Sequence, residues 1–113
     1  MTTIKKLTQQ IVHFRDVRDW GQFYTPKDMS LALVAEVGEL IEHFKWHRDK
    51  ETEQYIATHK EEIGEETADV FYWVLLMSHE LKIDIEKAFD EKMKKNNKKY
   101  PEKEYKGRHT NPA

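Results

Sequence analysis

Four acidic side chains on two predicted helices are the residues of this sequence best suited to chemistry. Glu36 and Glu39 are three positions apart on one predicted helix, and Glu66 and Asp69 are three positions apart on another. Residues three apart are neighbours on one side of a helix. If the two helices pack with these sides facing each other, four carboxylates converge, and hard oxygen ligands of this kind suit Mg²⁺ or Mn²⁺. The spacing therefore indicates a divalent metal site.

The apolar segment after the second acidic pair favours a metal site over an ordinary surface. Either pair alone is more typical of a solvated helix face. However, residues 70–77 are apolar on every side of the predicted helix, and Glu66 and Trp73 lie along one stripe that leads into them. Carboxylates that enter a core need a cation or hydrogen-bond partners, because burying an unpaired charge is costly. Two such pairs, each embedded in apolar sequence, favour the metal site.

Composition excludes several other classes of protein and site. The chain has 113 residues, with 19 basic and 21 acidic side chains and a net charge of −2, which argues against a broadly basic nucleic-acid binder. It contains no cysteine, so disulfide scaffolds, thiolate zinc sites and cysteine nucleophiles are excluded. The longest apolar run, residues 70–77, is shorter than the roughly 20 residues of a membrane helix, and residues 1–6 lack the apolar stretch of a signal peptide. We therefore expect a soluble, cytoplasmic domain that binds neither a membrane nor a nucleic-acid polymer.

Hydrophobic periodicity and capping residues predict an all-α protein of about four helices. The helices are predicted over about residues 3–18, 28–46, 59–82 and 85–99. Asp28 or Ser30 is the expected N-cap of the second helix, and Asp84 is that of the fourth. The polar segments 19–28 and 49–58 are predicted to be loops.

The predicted third helix also implies a partner subunit. Its segment 70–77 is apolar all round, and a helix of this kind is buried all round. A four-helix chain of this length can hardly surround one of its own helices. We therefore expect an obligate homo-oligomer that completes the core, with a dimer and a tetramer both open.

Several segments resemble the MazG-like all-α nucleoside triphosphate pyrophosphatases. Residues 31–40 are LALVAEVGEL and residues 65–70 are EETADV. They match the family pattern of two glutamates three apart followed, after a gap, by Glu-x-x-Asp. The RDW at 18–20, the KW at 45–46 and the Lys, Asn, Lys, Tyr and Pro of segment 92–101 extend the resemblance to the dCTP pyrophosphatase subgroup.

The resemblance covers roughly residues 11–101. It implies a MazG-like helical bundle as a domain over residues 1–101. The polar composition of residues 102–113 predicts a loosely ordered tail after it. The implied activity is Mg²⁺-dependent hydrolysis of a nucleoside triphosphate to the monophosphate and pyrophosphate, and we expect the substrate to be dCTP.

The resemblance also assigns roles to the acidic residues. Glu36, Glu39, Glu66 and Asp69 would hold Mg²⁺, with Mn²⁺ as an alternative. Attack on the α-phosphorus needs a metal to neutralise the triphosphate and position water, and a nearby carboxylate can take the water proton. Glu65 could be this base, one of the four ligands could be the base, or Glu65 could support the ligands from behind.

The predicted fourth helix offers a face for phosphate binding. Lys92, Asn96 and Lys99 lie at positions i, i+4 and i+7, and Tyr100 follows at the helix end. The cations can offset triphosphate charge, and the amide can donate to a phosphate oxygen. The alternative is an ordinary basic surface helix.

Aromatic residues provide candidates for binding the base. The resemblance places Trp20, Trp46 and Trp73 near it, and Tyr24 is a further candidate. Aromatic rings stack on nucleobases, although stacking by itself tolerates every base. Each of these rings could instead belong to the core, as we expect of Phe23.

The sequence also bears on two other classes of helical protein. Carboxylate-bridged di-iron bundles use Glu-x-x-His on their helices, and no histidine here follows a glutamate at that spacing. A non-catalytic helical module that dimerises through its third helix, with its acids on the surface, remains the alternative function.

Overall fold

The computed structural model describes residues 3–108, which form helices and turns and no strand. The all-α class is therefore confirmed over this part of the chain. In chain order the elements are α1 (Ile4–Asp16), a 3₁₀ turn (Trp20–Phe23), α2 (Pro26–Glu42), α3 (Lys50–Glu80), α4 (Ile85–Lys99) and α5 (Glu102–Tyr105).

α2 begins earlier than predicted, because Thr25 is its N-cap and neither Asp28 nor Ser30 is. The Thr25 hydroxyl accepts a hydrogen bond from the Asp28 backbone N–H at 3.2 Å, and the Asp28 carboxylate accepts one from the Thr25 N–H at 3.1 Å. Pro26 takes the first helical position, where its fixed φ fits and its missing N–H has no intrahelical partner to lose. Asp28 thus closes a capping box from inside the helix. At the other end, residues 43–46 form turns, so α2 is also shorter than predicted.

α3 is longer than predicted, and the expected loop over residues 49–58 was wrong. The helix begins at Lys50, and His59 interrupts it with a kink at φ −123° and ψ 17°. Lysine, glutamate and glutamine are good helix formers, and Glu51 and Glu53 in the first turn complement the positive end of the helix dipole. The polar composition therefore marks a largely exposed helix. The predicted start at His59 corresponds to the kink.

The chain divides after Lys82 into two compact units, here called the N-terminal and the C-terminal unit. In the N-terminal unit, α3 contacts both α1 and α2. The fully buried apolar side chains among its described residues are Met29, Leu75 and Leu76. This small core holds the helices that carry the acidic residues.

A buried arginine ties the end of α1 to the end of α3. The Arg15 guanidinium pairs with the Glu80 carboxylate, and it lies 2.9 Å from the Asp16 carboxylate. Glu80 and Asp16 together hold the pKa of Arg15 above its ordinary value, although burial acts against them. A Cβ on Gly21 would come within 3.3 Å of the Arg15 Nε, so the absence of a side chain there lets the 3₁₀ turn lie against the guanidinium.

The apolar residues that recur at helical spacing in segment 31–44 predict a core face for α2, and this chain covers that face only partly. Leu33, Val37, Leu40 and Phe44 are half-buried. Three other members are exposed, namely Leu31, Val34 and Ile41. On α3, Phe71 is exposed as well, so the apolar segment 70–77 is not buried on every side by its own chain.

The C-terminal unit contains α4 and α5. The predicted N-cap of α4 is confirmed, because the Asp84 carboxylate accepts a hydrogen bond from the Lys87 N–H at 3.1 Å. The helix ends as predicted at Lys99, two residues before Pro101. The expected loose tail instead begins with the single helical turn α5, and residues 109–113 of that predicted tail lie outside the described residues. A domain boundary at residue 101 stays a prediction.

No helix within residues 3–108 combines the length and the hydropathy needed to cross a bilayer.

Candidate metal centre and aromatic cavity

Three glutamates from two helices come together in the N-terminal unit. α2 supplies Glu36 and Glu39, and α3 supplies Glu66; one carboxylate oxygen of each lies within 4.8 Å of the others. The spacing of three places the first pair on one side of α2, and the packing of α2 on α3 brings the third residue to them. The structure therefore brings together three of the four predicted ligands, here called the carboxylate trio.

Two oxygens of the trio are buried without a partner. The Oε2 atoms of Glu36 and Glu66 are shielded from solvent, and neither accepts a hydrogen bond from any residue in the described part of the chain. A buried anionic oxygen with no donor is costly, and native structures rarely keep one. A bound divalent cation would satisfy both oxygens, so the donor set fits such an ion.

The pKa values of the trio also favour a bound cation. Burial raises the pKa of Glu36 to about 6, and the neighbouring Glu39 carboxylate adds to the effect. The pKa of Glu66 is also raised, first by the close Glu39 carboxylate and then by burial. The negative charges of the three carboxylates thus lie close together where solvent is partly excluded. Such an environment favours the binding of a cation.

Asp69 lies at the edge of the trio. Its charge raises the pKa of both Glu36 and Glu66, and it lines the same cavity as Glu36. It is exposed and is not one of the three residues within 4.8 Å. Glu65 is also exposed and outside the trio, so its role as a base stays a prediction.

An open cavity of about 560 Å³ adjoins the acidic residues within the N-terminal unit. Its volume falls in the usual range of small-molecule sites. Six aromatic rings line it, namely Phe14, Trp20, Tyr24, Phe71, Tyr72 and Trp73. The Trp73 ring lies edge-on to Tyr24, with centroids 5.2 Å apart, and edge-on to Tyr72 at 5.1 Å.

Three of the four aromatic residues predicted to bind the base line this cavity: Trp20, Tyr24 and Trp73. Trp46 does not line it; its side chain is 74% exposed, and the Lys45 ammonium lies 5.0 Å from its ring. Phe23, which we expected in the core, is 62% exposed.

Sequence reasoning missed several residues that line the cavity. Phe14 and Tyr72 contribute rings, and Gln10 contributes a side-chain amide. The signal for Phe14 was present, since it shares the apolar stripe of α1 with Leu7 and Ile11. Gln10 falls between these residues, but a polar residue on a helix gives no sign of whether it faces a cavity or bulk water.

Sequence reasoning also missed His43, which lies at the end of α2 and influences the electrostatics of the trio. Its charge lowers the pKa of Glu66, against the other effects on that residue. Its Nδ1 is 2.8 Å from the Tyr55 hydroxyl, so α3 fixes the imidazole. The histidines showed no metal spacing in the sequence, and His43 gave no signal there.

The residues predicted to bind phosphate lie on α4 or at its end, in the C-terminal unit. Lys92 and Lys99 are exposed and Asn96 is half-buried, with its amide nitrogen 3.9 Å from the Met93 sulfur. The Lys99 ammonium lies 5.4 Å from the Tyr100 ring. Their binding of phosphate stays a prediction.

This chain is similar in sequence to known proteins. A family model described as the MazG-like family matches residues 31–111. dCTP pyrophosphatase 1 of Rattus norvegicus is 35% identical over 101 residues, which cover 88% of this chain and 59% of that protein. The protein of the same name from Homo sapiens is 33% identical, with the same two coverages of 88% and 59%. The chain thus spans 59% of the length of these curated relatives.

A solved structure is similar over nearly its whole chain. The crystal structure of a pyrophosphatase from Archaeoglobus fulgidus has a TM-score of 0.83 and 34% identity to this chain, and the match covers 89% of this chain and 94% of that one. Both the helical fold and the segment that carries the carboxylate trio are therefore shared with known proteins. The chain belongs to the MazG-like family.

Proposed function

We propose that this protein hydrolyses a nucleoside triphosphate to the monophosphate and pyrophosphate, with dCTP as the expected substrate. The observation that carries the proposal is the carboxylate trio, with its two buried and unpartnered oxygens, beside an aromatic cavity. A carboxylate centre suits a divalent cation, and aromatic rings suit a nucleobase. The relatives named dCTP pyrophosphatase 1 and the archaeal pyrophosphatase support the reaction class.

The acidic residues would hold Mg²⁺, with Mn²⁺ as the alternative. Glu36, Glu39 and Glu66 would bind it directly, and Asp69 would join them from the cavity side. Bound Mg²⁺ supplies neutralisation of triphosphate charge and a fixed place for water. A carboxylate of this cluster can accept the water proton, and Glu65 is the candidate outside the ligand set.

Separate sets of residues are proposed to bind the base and the phosphates. Trp20, Tyr24 and Trp73 offer ring faces and edges to a base. Trp46 stays a candidate on the strength of the family pattern alone. The proposed phosphate-binding residues are Lys92, Asn96, Lys99 and Tyr100, whose cations and hydrogen-bonding groups suit phosphate oxygens.

We also propose that the protein is a homo-oligomer. The fully buried apolar side chains of the described chain are few, while Leu31, Val34 and Ile41 of α2 are 57%, 68% and 49% exposed. These residues belong to the face that the sequence marks as core. A second copy that covers this face would remove their apolar surface from water, at roughly 25 cal/mol per Å².

A panel of nucleoside triphosphates tests the function and its base preference together. The purified chain is incubated with dCTP, dUTP, dATP and dGTP at fixed Mg²⁺, and pyrophosphate is measured. We expect pyrophosphate from all active substrates and the highest kcat/KM for dCTP. Equal kcat/KM for dCTP, dATP and dGTP would contradict the base preference. A chain without turnover, which gains no thermal stability from Mg²⁺ and nucleotide, would support the non-catalytic helical module.

A further inference from the structure

We propose that Gln10 reads the edge of the base in the aromatic cavity. This inference rests on the proposed function, because it names the residue that recognises the base once a nucleotide is bound. Ring stacking holds every base, so recognition needs a polar group that faces the base edge. Gln10 supplies the one side-chain amide among the residues that line the cavity in the described part of the chain.

The position of Gln10 follows from the helical repeat of α1. Leu7, Gln10, Ile11 and Phe14 occupy positions i, i+3, i+4 and i+7, so they form one stripe, and all four line the cavity. Gln10 is the polar member of this stripe. Its neighbour Gln9 lines a different pocket, with His13 and His79, because a step of one residue turns the side chain by about 100°.

The Gln10 amide is available for a ligand. Its side chain is exposed and makes no hydrogen bond within residues 3–108. It reaches the same cavity as the rings of Trp20 and Trp73 and as the Glu36 carboxylate. A nucleotide with its phosphates towards the acidic residues would therefore place its base among groups that include this amide.

The chemistry of an amide matches the base edge better than the other neutral groups of the cavity do. Gln10 has a donor and an acceptor on separate atoms in one plane, whereas a tryptophan N–H only donates. The Tyr72 hydroxyl, whose pKa is raised by burial, offers its donor and its acceptor on a single atom. Cytosine presents an amino donor beside the N3 acceptor, and one amide can pair with both.

The same amide, turned over, pairs with the 4-carbonyl and N3–H of uracil. Gln10 therefore favours bases with an adjacent donor and acceptor over bases that lack them, and it does not separate cytosine from uracil. Its loss should remove two hydrogen bonds from cytosine but only the one to N3 from a base that lacks the amino group.

A double-mutant cycle between the protein and the ligand tests the assignment. Binding is followed by quenching of tryptophan fluorescence, since Trp20 and Trp73 line the cavity. The two ligands are deoxycytidine and the deoxynucleoside of pyrimidin-2-one, which lacks the 4-amino group. The wild-type chain is compared with Gln10→Leu and with the matched control Gln9→Leu, and circular dichroism confirms the helical fold of each.

We expect wild type and Gln9→Leu to bind deoxycytidine about three- to tenfold more tightly than the analogue. This ratio is the usual contribution of one neutral hydrogen bond. Gln10→Leu should bind the two nucleosides equally. An unchanged preference in Gln10→Leu would overturn the assignment, and so would a wild type that binds neither nucleoside.

Pyrophosphate release from dCTP by the wild type is measured in parallel. Turnover with an unchanged preference in Gln10→Leu refutes this inference alone, whereas a wild type without turnover refutes the proposed function and the inference with it.

Discussion

At the scale of single residues, the carboxylates of the trio repel one another, and a bound cation would relieve this repulsion. Burial and the Glu39 carboxylate raise the pKa of Glu36 from an ordinary 4.5 to about 6. The folded protein therefore favours the protonated form of Glu36 more than the unfolded chain does. As pH rises from about 4.5 through 6, this contribution to stability is lost, and it stays lost at higher pH.

Glu36→Gln should therefore stabilise the metal-free protein at neutral pH. The amide carries no charge and can donate a hydrogen bond to a neighbouring carboxylate, so we expect Tm to rise by roughly 2–6 °C at pH 7.5 in chelator. The gain should shrink as the pH falls towards 4.5 and vanish below it, where wild-type Glu36 becomes protonated in both states. Thermal unfolding at the two pH values measures this, and a lower Tm of the variant at pH 7.5 would contradict the electrostatic account.

Glu39→Gln and Asp69→Asn should each remove most turnover while the helical fold persists. Each substitution takes one charged ligand from the divalent ion, and we expect kcat/KM to fall by about 100-fold or more. Apo stability should hold or rise, because carboxylate repulsion is relieved. Glu61→Gln is the matched control, since Glu61 is an exposed acid of α3 outside the trio. Activity near that of the wild type in both site variants would rule out the metal assignment.

Trp73→Ala should raise KM more than it lowers kcat. Ring contacts bind the ground state and the transition state about equally, so their loss weakens binding without slowing the chemical step. We expect KM for dCTP to rise roughly tenfold, the usual scale of one base–aromatic contact. Phe23→Ala, an exposed ring that does not line the cavity, should leave KM nearly unchanged. A fall in kcat at constant KM would place Trp73 in a different role.

At the scale of elements, local chemistry explains where sequence reasoning succeeds. The Asp84 side chain caps the start of α4, and Pro101 follows soon after the end of this helix. Nearby residues therefore determine both ends of α4. The start of α2 was misassigned because Thr25 and Asp28 cap it jointly, and each of them alone looks like an N-cap. The charged start of α3 has no apolar periodicity, which hid its helical propensity.

Thr25→Ala should show what the capping box of α2 contributes. Removal of the hydroxyl leaves an N-terminal backbone N–H without its acceptor, which costs about 1 kcal/mol and lowers Tm by roughly 4–8 °C. Thr25→Ser keeps the side-chain oxygen and should retain most of the stability. Thermal unfolding of the two variants under identical conditions measures the difference, and an equal loss in both would show that the hydroxyl does not cap the helix.

The candidate site shows what sequence reasoning can and cannot supply. The spacing of Glu36 and Glu39 fixes their common side, because that is a property of one helix. Their approach to Glu66 and the shielding of two oxygens come from the packing of α2 on α3, which periodicity does not specify. Gln10 was missed for the same reason, since only the tertiary fold separates a cavity-facing amide from a solvated one.

At the scale of the whole molecule, the exposed apolar residues of α2 predict self-association. Light scattering at micromolar concentration should give a mass of at least two chains. Val34→Glu puts a charge on a residue that is 68% exposed in the single chain, and we expect this variant to shift towards smaller species. A wild-type monomer at that concentration would contradict the homo-oligomer.

The products formed from dCTP show which phosphoanhydride bond the protein cleaves and whether cleavage needs a divalent cation. Wild-type protein is incubated with dCTP in the presence of Mg²⁺ and, separately, in chelator, and the products are separated by chromatography. Hydrolysis between the α and β phosphates predicts dCMP and pyrophosphate in equal amounts with Mg²⁺ and neither product in chelator. Formation of dCDP and orthophosphate would contradict the proposed reaction, and equal turnover in chelator would contradict its dependence on Mg²⁺.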